Sequence, residues 1–169
     1  MNEFVKIDFK IQRIFAGWFD IVLEWKDKKV KITDSDAWDN DSPKCLLEVL
    51  AELRKEAVCN RYIIFNADPG SYIVSFDQDV DLILSVCRTD IPIEEWQKLH
   101  LNKHLSFDEL KDYISHRGES ETLFRVRLDL EDFICKVCDA FGRYREGTAR
   151  EEYEKNWMQY PEEALKNLL

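Results

Sequence analysis

Residues 42–88, SPKCLLEVLAELRKEAVCNRYIIFNADPGSYIVSFDQDVDLILSVCR, decide the fold. Ser42 is the expected N-cap, its hydroxyl accepting from an orphan backbone N–H. Pro43 suits the first helical position, where a missing N–H costs nothing. Leu46, Leu50, Leu53 and Ala57 recur on one helical face, widened by Leu47 and Val58. Arg54 and Lys55 bring positive charge to the last turn, where the helix dipole favours it. Around Asn60 the period changes. Tyr62 to Phe65 is a short apolar run, and Asp68-Pro69-Gly70 is a turn. Tyr72, Val74 and Phe76 alternate with Ile73, Ser75 and Asp77, and after Asp77-Gln78-Asp79 the residues Val80, Leu82, Leu84 and Val86 alternate with Asp81, Ile83, Ser85 and Cys87. Period-2 alternation on both sides of a polar break predicts an antiparallel hairpin with one buried face. The helix stripe needs an apolar partner. Leu46, Leu50 and Leu53 are therefore expected against the strand that carries Val80 to Val86.

Upstream, Val5, Ile7, Phe9 and Ile11 alternate with charged residues and predict a first strand. Ala16-Gly17 permits a bend. Phe19, Ile21, Leu23 and Trp25 make a second strand, and Val30 and Ile32 follow the turn Lys26 to Lys29. Downstream of Arg88 the pattern weakens, and Ile91 to Leu101 fits a strand, a helical turn or a loop equally. Ser106 and Glu109 match a capping box for a short helix from Phe107 to about His116. Phe124, Val126 and Leu128 predict a last strand, with Asp129 as the N-cap of a helix striped by Leu130, Phe133, Ile134, Val137, Phe141 and Tyr144. Gly147 is expected to stop that helix. Thr148 and Glu151 match a second capping box, opening a helix with Tyr153 and Trp157, and Pro161 starts a final turn with Leu165, Leu168 and Leu169. The expected architecture is α+β: a mainly antiparallel sheet of about six strands, two amphipathic helices on one face, and C-terminal helices. No repeat or linker divides residues 1–169, which read as a single domain.

At 169 residues the chain is long enough to build a core without disulfides or metal. Ten Phe, six Tyr and five Trp argue against disorder. A net charge of −10 argues against nucleic acid, which needs a basic footprint, and against an anionic membrane surface. The same charge suits a basic protein partner. The five cysteines are odd in number and scattered. Met1-Asn2-Glu3-Phe4 has no basic signal-peptide start, and no apolar run approaches a membrane span. A reducing cytoplasm is the compartment these features predict.

Chemical motifs are sparse. His100, His104, Cys135 and Cys138 have ligand types that suit zinc, but Cys138 falls inside an amphipathic helix, where cysteine is commonly a small core residue. Cys–His nucleophilic pairs arise by chance among five cysteines and three histidines. With 34 acidic residues, carboxylate pairs carry no information, and no phosphate-binding glycine loop is present. The reading therefore assigns no catalytic residue, no metal ligand and no cofactor. The most informative cluster is Asp34, Asp36, Asp39 and Asp41 around Trp38, with no basic residue among them. A charge run is commonly a solvated loop. The sharper reading is an exposed, partner-binding surface with an aromatic anchor. Trp18, opposite Phe19 on its strand, is a second aromatic of that kind. Trp157 and Tyr160 are expected to pack the C-terminal helices onto the body.

One pattern spans most of the chain. It comprises the Ser42-Pro43 helix through Leu53, the Asp68-Pro69-Gly70 turn, Val126, Leu128, Phe133 and Val137, then Gly147, Tyr153, Trp157 and Tyr160-Pro161. It resembles small acidic bacterial cytoplasmic proteins, some of them of the immunity type in polymorphic or contact-dependent toxin systems. The resemblance implies a non-catalytic protein-binding role, the neutralisation of a basic toxin domain, and carries over no catalytic residue. The alternative is a small cytoplasmic enzyme or zinc-binding protein using the Cys and His residues.

Overall fold

The alternating runs become strands, and the chain forms two antiparallel sheets rather than one. The computed structural model describes residues 3–169. β1 (Asp8–Phe15), β2 (Trp18–Trp25) and β3 (Lys28–Ser35) form a three-stranded meander. A short 3-10 turn (Ala37–Asp39) leads into α1 (Ser42–Lys55). β4 (Cys59–Asn66), β5 (Ser71–Gln78), β6 (Leu82–Thr89) and β7 (Ser120–Arg127) form a second meander. Between β6 and β7 lie α2 (Ile93–Leu99) and α3 (Phe107–Ser115). After β7 come α4 (Leu130–Gly142), α5 (Gly147–Asn156) and α6 (Glu162–Leu168).

The expected single sheet of about six strands divides because α1 separates β3 from β4, and their ends meet through a side chain instead of a ladder. Asp34 Oδ1 accepts from the Asn66 backbone N–H at 2.8 Å. At the opposite edge Val5 makes an isolated parallel bridge to Leu128. One apolar cluster fills the space so enclosed, from Ile7 and Phe19 through Leu50 and Phe76 to Phe141 and Leu168.

α1 buries Leu46, Leu47, Leu50, Ala51 and Leu53, as its stripe demands. It lies along β4 and α6. Leu82, Leu84 and Val86 share its cluster, but Val80 does not: it is 91% exposed in the β5–β6 turn. The cap is Asp41, whose Oδ1 accepts from Lys44 N at 3.2 Å. Ser42 lies one residue inside the helix, and its hydroxyl donates to Ile64 O at 2.8 Å. A buried hydroxyl that satisfies a strand carbonyl is no longer available to the helix. Arg61, buried in β4, locks onto Glu52 of α1, onto Glu56 at its C-cap and onto His104.

The helices do not share one face of a sheet. The second meander is buried on both sides. Ile63, Phe65, Val74, Phe76, Leu84 and Val86 face the main core. Ile73 and Cys87 face a smaller cluster supplied by Trp96 of α2 and by Phe107, Leu110 and Ile114 of α3. Ser106 and Glu109 form the expected capping box, and Asp129 caps α4 through Asp132 N. The Thr148–Glu151 box does not form. α4 ends at Gly142, Gly147 opens α5 at φ +63°, and the preceding Glu146 makes no side-chain cap bond. Phe19 meets Trp157 edge-on at 5.4 Å and Tyr160 is buried, so the C-terminal aromatics do pack onto the body. Among the described residues, no helix is long and apolar enough to cross a membrane.

Candidate partner-binding surface

The acidic run splits into two anchors, Asp34 buried and Asp41 half-buried, and an exposed tip. Along β3, Val30, Ile32 and Asp34 share the inward face, and Asp34 is 0% exposed. The expectation that Asp34 lies on the surface is therefore corrected: strand alternation carries it into the seam between the sheets. Burial is the main influence on its carboxyl and pushes its pKa up to about 8. The Asn66 amide and Ser42 pull the other way, while the nearby Asp41 charge adds to the rise. Asp41, also expected on the surface, is half-buried and turned to the body. Its Oδ1 receives both Lys44 N and the Trp157 indole N–H, each at 3.2 Å, and burial raises its pKa too. Both groups hold the two ends of the loop to the body.

Between them the chain turns outward. The Asp36 N–H donates to Gly17 O at 2.9 Å, tying the run to the β1–β2 turn. That turn has Ala16 at φ +49° and Gly17 at +82°. A Cβ on Gly17 would come within 2.6 Å of the Asp36 carboxylate, so glycine meets both the angle and the contact. Trp38 (φ +75°) and Asp39 (φ +51°) then take consecutive left-handed conformations. Such residues cost on the order of 1–2 kcal/mol each and concentrate at sites under functional constraint. Asn66 Nδ2 approaches Ala37 O at 3.5 Å, and Gln97 Nε2 approaches Trp38 O at 3.4 Å. The backbone is thus held while the indole stands free, 56% exposed. Asp36 and Asp39 are exposed, and among the described residues neither pairs with a cation.

Phe15 joins this edge. It is 62% exposed at the end of β1, directly before the turn that binds Asp36. Sequence reading missed it because β1 carries an irregularity between Ile11 and Arg13. Phe9 and Ile11 point inward. After the bulge Ile14 takes the inward position opposite Phe19, and Phe15 turns outward opposite Trp18. Trp18 itself is half-buried. The usable surface is therefore Phe15, Asp36, Trp38 and Asp39, with Asp34 and Asp41 as its supports.

The Cys and His residues do not converge. Cys135 and Cys138 lie on α4, His100 ends α2, and His104 binds Arg61. Among the described residues, no group of three or more His, Cys, Asp or Glu is placed to hold a metal ion. In comparisons with protein-family models, curated proteins and solved structures, no match to the chain was found.

Proposed function

We propose that this chain is a non-catalytic cytoplasmic protein of the immunity type, which binds and neutralises a basic toxin domain through the Phe15–Trp38 edge. The observation that supports this most is Trp38: a large aromatic held outward on a strained backbone between two unpaired aspartates. An exposed aromatic with a polar rim is the common form of an interface hot spot. The rim charges Asp36 and Asp39 would speed encounter with a positive partner and select against acidic ones.

The test is affinity capture from the source cell on immobilised wild type, Trp38→Ala, and Asp36→Asn/Asp39→Asn. The expected result is a basic protein retained by wild type. Trp38→Ala should lose about 2 kcal/mol of binding. The double variant should associate more slowly, with a weaker salt dependence. A basic protein held equally by all three would place the interface elsewhere.

A further inference from the structure

A cleft of about 470 Å³ opens between the N-terminal segment, the β2–β3 turn and β7, at the opposite end of β2 from Trp18. Its walls include Lys6, Lys26, Arg125 and Arg127, with Glu3 as the one acid lining it. In a chain of net charge −10, a lining of four cations and one acid gathers positive side chains on one cleft, with further carboxylates just outside it.

Aromatic rings position several of these cations. The Lys26 ammonium lies 4.8 Å from the Trp25 ring centroid and the Arg127 guanidinium 4.0 Å from that of Phe4. The Arg125 guanidinium lies 5.1 Å from Phe107. Three of the four have a carboxylate partner among the described residues, and Lys26 does not. Arg125 pairs with Asp108 at 3.2 Å, and Arg127 pairs with Asp81. Lys6 has Asp132 at 3.9 Å, and Lys26 forms no ion pair among the described residues. Lys26 also occupies a turn position at φ +52°, where glycine or asparagine is the unstrained choice. Because the cations cover the ring faces, the cleft offers charge rather than a stacking platform. Guanidinium forks and ammonium groups together fit oxygen anions of either phosphate or carboxylate type.

We propose that this cleft binds a multiply charged oxyanion, a phosphate chain or a polycarboxylate. The site is independent of the Trp38 edge. Calorimetric titration at low ionic strength with inorganic triphosphate, and in parallel with citrate, tests it. The expected result is saturable binding of at least one. Lys26→Gly suits the left-handed turn and so keeps the fold, while removing the cation. It should weaken binding about tenfold, the loss of one charge-assisted contact. Lys98→Ala removes an exposed lysine of α2 and should leave binding unchanged. Binding of triphosphate alone assigns a phosphate chain, and binding of citrate alone a polycarboxylate. Binding of both means that charge is the only criterion. The proposal falls if neither anion binds, if Lys26→Gly binds as wild type does, or if Lys98→Ala weakens binding as much as Lys26→Gly does.

Discussion

Asp34 and Asp36 are two residues apart in one acidic run and have opposite fates. Asp34 is sealed between the sheets, its carboxyl bound to the Asn66 amide. Asp36 stands in solvent beside Gly17, followed by an exposed Trp38 on left-handed backbone. Neither composition nor parity distinguishes them; the end of β3 at Ser35 does, because Asp34 still shares the inward face with Val30 and Ile32 while Asp36 lies past the strand. A charge cluster is therefore not a unit of function. Part of it can be a structural joint that holds the remainder in place for recognition.

The contrast can be broken or sharpened by substitution. The largest effect belongs to the core on which the joint rests. Leu50→Ala should cost on the order of 2–5 kcal/mol in urea unfolding, because Leu50 is fully buried where α1 meets the sheets. Asp34→Ala leaves the Asn66 N–H without its partner and should cost about 1–3 kcal/mol. The same joint sets a pH dependence. The folded pKa of Asp34, about 8, lies above the unfolded value of about 4, so the folded state retains a proton that the unfolded chain releases. This contribution to stability is complete below about pH 4 and is lost as pH rises toward about 8. Asp34→Asn should remove that slope, and an unchanged slope would assign the dependence to another group. Gly17→Ala should cost about 1 kcal/mol, since alanine disfavours positive φ and its Cβ meets the Asp36 carboxylate.

The same contrast explains what was legible in the sequence. The α1 stripe from Leu46 to Leu53, the β5 and β6 alternation from Tyr72 to Phe76 and Leu82 to Val86, the Ser106–Glu109 box and the Asp129 cap follow local rules and form as expected. Ala57 and Val58, by contrast, lie past the end of α1 at Lys55, and Val80 lies in the turn before β6. The second face of the β4–β7 sheet was hidden. Ile73 and Cys87 alternate with residues that are also buried, and their cover comes from α2 and α3, a segment with weak periodicity. The two sheets, divided where α1 separates β3 from β4, are joined through Asp34–Asn66 and Val5–Leu128, which are long-range pairings with no local signature. Of the candidate surface, Asp36, Trp38 and Asp39 were read as exposed and are. Phe15 needed the bulge after Ile11, which no turn residue announces.

On the proposed function, Trp38 is kept for recognition and against the interest of the fold. Urea unfolding of Trp38→Asn tests this directly. Asparagine accepts left-handed backbone better than tryptophan does, and the indole it replaces is more than half exposed. The variant should be as stable as wild type or up to about 1 kcal/mol more stable. A loss of more than about 1 kcal/mol would show that the indole supports the fold, contradicting the claim that Trp38 serves a partner.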